Sequence, residues 1–199
     1  MKNFNQKTRY DFSIIENWTH SNSKVLDLGC GDGGLLNYLK YRKNIKGFGI
    51  EKNPENWLLS LKNNIDVIQM DLEAGLAGFE TKSFDLVILS RTIQSMRNVE
   101  DIIHEMLRVG KEVVITFPNF GYWKNRLQIL QGYMPVSKEL PFKWYDTPNV
   151  HLCTIHDFDS FCRKNKIKVK ERLILTDKKS VSFYPNFFGA FALYKLVSK

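Results

Sequence analysis

The sequence predicts an α/β domain built on a mostly parallel, seven-stranded sheet with helices on both faces. From Val25 to Thr116 an apolar run, a polar turn and an amphipathic stretch recur in that order, the pattern of βαβ units laid side by side. A glycine-rich loop, Gly29-Cys30-Gly31-Asp32-Gly33-Gly34, joins the first apolar run directly to a helical one. The composition, 43% hydrophobic and 25% charged with six prolines in 199 residues, is that of a globular chain. That length suits one well-buried core, so the expectation is a single domain over residues 1–199.

The elements follow in order. Residues 9–18 read as a short helix ahead of the sheet. Strands are expected at 24–28, 46–51, 66–70, 84–89 and 112–117, where β-branched and other apolar residues bunch between turn residues. Helices are expected at 33–41, 54–63 and 99–109, with Pro54 suited to a first helical turn and Gly110 to a C-terminal cap. After Phe117 the chain becomes rich in aromatics and proline, through Pro118-Asn119-Phe120-Gly121-Tyr122-Trp123 and Pro141-Phe142-Lys143-Trp144-Tyr145-Asp146-Thr147-Pro148. Such a stretch, about 118–153, is where a binding lid or insertion would sit. A helix at 154–164 follows, with Thr154 and Asp157 spaced as a capping box, and the last strands are expected at 166–175 and 187–196.

Glycines after the first strand let the backbone turn tightly and approach a ligand with no Cβ in the way. Gly29, Gly31 and Gly34 satisfy the spacing of a dinucleotide loop. Asp27 and Asp32 argue against that ligand, because two carboxylates would repel a pyrophosphate, whereas they suit an ammonium and a sulfonium. The expected ligand is therefore S-adenosylmethionine or S-adenosylhomocysteine, and the fold a class I methyltransferase-like (Rossmann-like) one. The loop would contribute Asp27, Gly29, Cys30, Gly31, Asp32 and Gly33. Glu51, about twenty residues on at the end of the second strand, is placed to meet a ribose diol, beside Lys52. Asp71 would accept from the adenine amino group and Leu72 support the ring. Ser90 ends the fourth strand, where strand order reverses and a crevice opens. Each position alone has a plainer structural reading as a cap or turn; their order along one βαβ series is what points to a site.

With those residues in view, the chain resembles the MetW family, bacterial proteins of methionine biosynthesis. The resemblance runs through Val25-Leu26-Asp27-Leu28-Gly29-Cys30-Gly31-Asp32-Gly33, Glu105-Met106-Leu107-Arg108-Val109-Gly110, Phe117-Pro118-Asn119-Phe120-Gly121 and Trp144-Tyr145-Asp146-Thr147-Pro148-Asn149-Val150-His151-Leu152-Cys153-Thr154. It implies association with homoserine O-acyltransferase (MetX) and a role in homoserine acylation. The alternative is a catalytically active methyltransferase acting on a small molecule. One departure is Arg91, where the family is expected to carry Gln after the serine. Buried arginine is rare, so an outward, solvated Arg91 is expected.

For methyl transfer, in-line positioning supplies much of the rate and a general base is optional. The candidates are Asp146 and His151, each with an equally good reading as a turn or loop residue, and Tyr145 as a donor or wall. Tyr122, Trp123, Trp144 and Tyr145 could form a substrate cage, a docking patch or core, and Arg126 at helical spacing from Tyr122 adds an interface residue type. His20, His104 and His156 show no metal-ligand spacing, and no metal is expected. Cys30, Cys153 and Cys162 read as reduced thiols. The net charge of +8 is spread along the chain, which disfavours nucleic acid as a partner. The polar amino end and the lack of a roughly 20-residue apolar stretch predict a cytoplasmic protein with no membrane association.

Overall fold

The computed structural model describes residues 9–198. In chain order the elements are α1 (Tyr10–Trp18), β1 (Lys24–Leu28), α2 (Gly34–Lys43), β2 (Lys46–Glu51), α3 (Pro54–Lys62), β3 (Asp66–Gln69), β4 (Phe84–Ser90), α4 (Val99–Val109), β5 (Gly110–Pro118), α5 (Trp123–Leu130), α6 (Ile155–Lys164), β6 (Lys168–Thr176), β7 (Lys179–Ser180), α7 (Pro185–Phe188) and β8 (Phe191–Val197). Short 3-10 turns occupy Leu72–Ala74 and Ile93–Ser95. The sheet runs β3-β2-β1-β4-β5-β8-β6-β7. Its first five strands are parallel, and β8 enters antiparallel between β5 and β6.

Side chains alternate between two buried layers. Leu26, Leu28, Val87, Leu89, Val113 and Ile115 face a core completed by Ile103 and Met106 of α4 and Phe158 of α6. Val25, Ile88, Val114 and Leu193 face the other core, with Ile15 of α1 and Leu35, Leu36 and Leu39 of α2. Burial on both faces is why the central strands read as continuous apolar runs. Among the described residues no helix is long and apolar enough to cross a membrane.

The sheet has eight strands where seven were expected. The extra one is a two-residue arm, Thr176 pairing Lys179 across Asp177 and Lys178. Both loop residues have positive φ, 48° and 68°, the conformation of a two-residue hairpin turn; Asp-Lys lacks the glycine that would have signalled it. The last strand begins at Phe191 rather than 187, because Pro185 starts the single turn of α7. The 118–153 stretch is not wholly irregular, since it contains α5. Gly110 follows α4 as expected but in extended backbone, φ −97°, and it starts β5 directly. The capping box at Thr154 and Asp157 forms as the spacing requires.

Asn119, at the end of β5, fastens this second half. Its amide donates to the Asn186 and Gly189 carbonyls at 3.0 and 2.7 Å, while its carbonyl oxygen accepts from the Gly121 and Ile155 amides. One buried side chain thereby holds the starts of α6 and of the aromatic stretch against α7.

Candidate functional site

The order of the strands reverses between β1 and β4, and the loops at their carboxyl ends diverge there, as open α/β sheets require. A crevice of about 650 Å³ opens at this point, with Gly29, Glu51, Asp71, Leu72, Thr92 and Met96 among its walls. That volume lies in the range of small-molecule sites.

The glycine loop is held from below. The amides of Gly29 and Cys30 both donate to the Ile50 carbonyl, at 2.8 and 3.0 Å. Gly29 has φ +71°, and a Cβ there would lie 2.9 Å from the Thr92 side chain. Gly31 has φ +59° and only open space where a Cβ would stand, so its backbone is free to be approached. The Gly31 amide donates to Glu51 Oε2 at 2.8 Å, and the Asn53 amide to Glu51 Oε1 at 2.8 Å. Two backbone donors thus orient a largely buried carboxylate at the end of β2 and leave lone pairs for a diol.

Asp27 is 3% exposed, near the end of β1 just before the glycine loop. Burial first, and then the neighbouring charges of Glu51 and Asp11, push its pKa up to about 7, with Arg9 opposing. A buried carboxylate in this state is satisfied by a cationic partner.

The other expected residues fall into two groups. Lys52 and Asp71 pair across the crevice mouth at 2.5 Å. That hydrogen bond, together with the Glu73 amide, holds the Asp71 carboxyl below its usual range. Leu72 is buried at the crevice wall. Cys30, Asp32, Gly33 and Ser90 have their side chains or Cβ positions turned elsewhere. The Cys30 thiol packs toward Ser60, 3.8 Å away, and against Gly49. Asp32 is exposed and accepts from the Gly34 amide at the start of α2. A Cβ on Gly33 would meet Ile65. Ser90 is committed to a buried network, accepting from Arg9 at 2.7 Å and lying 3.1 Å from the Thr116 hydroxyl.

That network fills the space above β4 and β5. Arg9 is paired with the fully buried Asp11. Arg91, at φ +59°, turns inward rather than into solvent. Its guanidinium meets Glu139 at 2.9 Å, lies 3.8 Å from Asp11 and sits 4.3 Å from the Phe191 ring centroid. A carboxylate and an aromatic face together offset its desolvation, which the rarity of buried arginine did not anticipate. Its charge is answered within the protein.

Asp146, His151 and Tyr145 are all exposed. His151 Nε2 lies 3.2 Å from the Arg97 carbonyl, and the Tyr145 ring packs edge-on against Trp144. The aromatic residues do not gather into one cage. Tyr122 is buried against Trp123, while Trp144 and Tyr145 form a separate exposed pair.

Crevice walls that were not among the expected site residues include Glu73, Thr92, Ser95, Met96, Arg97, Asn98 and Val150. Most lie in the β4–α4 turn, whose position after a parallel strand was the available signal. Arg9 and Asp11 gave no comparable signal, because their role arises from α1 folding back over the strand ends.

A family model described as methionine biosynthesis protein MetW matches residues 9–196. The bifunctional methionine biosynthesis protein MetXA/MetW of Rhodopirellula baltica is 38% identical over 161 residues, 76% of this chain and 26% of the relative. The chain therefore spans about a quarter of that relative's length. Among solved structures, a TehB-like SAM-dependent methyltransferase from Corynebacterium glutamicum superposes with a TM-score of 0.67 at 14% identity, covering 98% of this chain and 90% of that one. A SAM-dependent methyltransferase from Thermotoga maritima, described as a possible histamine N-methyltransferase, gives 0.69 at 16% identity, covering 96% and 88%. These likenesses show the class I methyltransferase fold.

Proposed function

The chain belongs to the MetW family of methionine biosynthesis proteins, and from that premise we propose that it binds S-adenosylmethionine or S-adenosylhomocysteine and supports or regulates homoserine O-acyltransferase (MetX). The crevice carries this reading, because Gly29, Glu51, Asp71 and Leu72 line it at the strand ends, the Gly31 amide orients Glu51, and the buried carboxylate of Asp27 lies just before the glycine loop, where a ligand ammonium would be drawn to it. The acyltransferase enters through the fused relative, whose name joins MetXA to MetW.

The region where a methyl acceptor would approach supports an auxiliary role over catalysis. It is taken up by the Arg91–Glu139 pair and the Arg9–Asp11–Ser90 network, and the candidate bases are exposed in the aromatic stretch. Two measurements test the reading. Thermal unfolding with S-adenosylhomocysteine at a hundred times its dissociation constant adds about 2.7 kcal/mol, an upward shift of roughly 5 to 10 °C for a chain of this size. Homoserine acylation by the partner acyltransferase is then followed with and without this protein and with and without the ligand. An unchanged acylation rate in every combination rejects the auxiliary role, and formation of S-adenosylhomocysteine with a defined acceptor replaces it with catalysis.

A further inference from the structure

Of the large apolar side chains exposed among the described residues, twelve of twenty-one lie between Trp123 and Leu152. Leu130 is 84% exposed, Trp144 73% and Tyr133 70%. Four of the twelve, Met134, Phe142, Trp144 and Leu152, come together in space around one hollow, and an apolar gathering of this kind, unlike scattered single residues, marks an interaction surface. Within it, Phe120, Met134, Phe142, Trp144 and Leu152 border a hollow of about 60 Å³, the scale of a few side-chain carbons. Lysines fringe the patch, with Lys124 5.6 Å from the Trp123 ring and Lys143 5.6 Å from the Tyr145 ring. The chemistry suits a protein partner that presents an apolar anchor inside an acidic rim.

The same stretch is fastened to the crevice. The Gln94 carbonyl accepts from the amides of both Val150 and His151, at 2.8 and 3.0 Å. Gln94 lies within the Ile93–Ser95 turn, and Ser95, Met96 and Val150 line the crevice. A ligand packed against that turn therefore bears on the backbone that carries the end of the apolar patch.

We propose that the 123–152 face is the surface on which the acyltransferase docks, and that filling the crevice strengthens the docking through the Gln94 clip. This rests on the auxiliary reading above. The occupant is argued from the fused relative, in which the stretch matching this chain is 26% of a longer polypeptide named for both MetXA and MetW. A covalent link supplies a high effective concentration and keeps the MetXA and MetW parts of that chain together. In a separate chain the face must find the same partner by affinity.

The test is calorimetric titration of the full chain with purified homoserine O-acyltransferase from the same organism, with and without saturating S-adenosylhomocysteine. A doubly substituted Leu130→Ser/Trp144→Ala protein is compared with wild type and with Leu58→Ala, which alters an exposed leucine on α3 away from the patch. Both altered positions are exposed, and an unchanged thermal midpoint and unchanged S-adenosylhomocysteine affinity verify that the fold is intact. The expected result is partner binding weakened tenfold or more by the double substitution, unaffected by Leu58→Ala, and at least threefold tighter for wild type when ligand is present. Equal partner affinity for wild type and the double variant overturns the docking surface while leaving the auxiliary reading standing. Equal affinity with and without ligand overturns the coupling. No binding by wild type under either condition removes the premise itself. Trp144-dependent binding of a single-stranded RNA 30-mer that displaces the acyltransferase reassigns the lysine-fringed aromatics to nucleic acid.

Discussion

Asp27 is the residue whose environment is most consequential. Its pKa of about 7, raised by burial, lies well above the value of 3.8 for an unperturbed aspartate. The folded protein therefore holds a proton that the unfolded chain has lost between these two values. In the absence of ligand, the ionisation of Asp27 lowers stability progressively as pH rises from about 4 to 7, with no further change above. A ligand ammonium favours the ionised form, so binding at pH 6 expels protons from this site. Titration calorimetry at pH 6 in buffers of different ionisation enthalpy is expected to show net proton release on binding S-adenosylhomocysteine, and Asp27→Asn is expected to abolish it and weaken binding. A release unchanged in Asp27→Asn places the proton elsewhere.

Burial moves the cysteines in the same direction. Burial pushes the thiols of Cys30, Cys153 and Cys162 up to about 12, far from the thiolate that reacts. All three are free. Iodoacetamide at pH 8 should label the native protein slowly and the urea-unfolded chain completely. Rapid modification of one thiol in the native state would show that its shelter opens.

At the scale of elements, the sheet is sewn together at the end opposite the crevice by an ion cluster. Lys195 of β8 is 3% exposed. Its ammonium pairs with Glu112 of β5 at 2.8 Å and donates to the Trp18 carbonyl at the end of α1 at 3.2 Å. Glu112 also meets Lys170 of β6 at 2.5 Å. Burial alone would raise the Glu112 pKa, but the two lysines outweigh it and hold it low. Its contribution is therefore present above the ordinary glutamate range and is lost as pH falls through the depressed value. Glu112→Gln removes the nearer of the two carboxylates paired with Lys195, leaving only Glu171 at 3.8 Å, and should cost about 2 kcal/mol, a fall in thermal midpoint of roughly 4 to 8 °C. Adding Lys195→Met should recover part of that loss, since an apolar pair tolerates the site better than a stranded charge. A single variant as stable as wild type would mean that Lys195 is solvated in solution.

For the whole molecule, the two proposed binding events are linked by thermodynamics. If ligand tightens partner binding by some factor, the partner must tighten ligand binding by the same factor. The expected outcome is a lower dissociation constant for S-adenosylhomocysteine in the presence of saturating acyltransferase, by the ratio found in the converse titration. Unequal ratios would show that one titration includes a further equilibrium, such as self-association through the apolar face.

What the sequence by itself determined is the part governed by local periodicity and turn chemistry. The five parallel strands, the helices between them, the capping box at Thr154 and the glycine loop with Glu51 and Asp71 at successive strand ends were all legible, because each follows from residues a few positions apart. The family was legible too, in stretches such as Trp144 to Thr154. Tertiary structure alone decided the rest. Cys30, Asp32, Gly33 and Ser90 sit in or beside the motif, yet their side chains or Cβ positions face elsewhere, because direction out of a loop depends on what packs behind it. Arg91 turns inward because Glu139, 48 residues on, and Phe191, a hundred on, meet it there. The Asp27 pKa is pushed up to about 7 because the fold buries it beside Glu51 and Asp11. Those partners are distant in sequence, and no pattern along the chain records which side chains the fold will bring together.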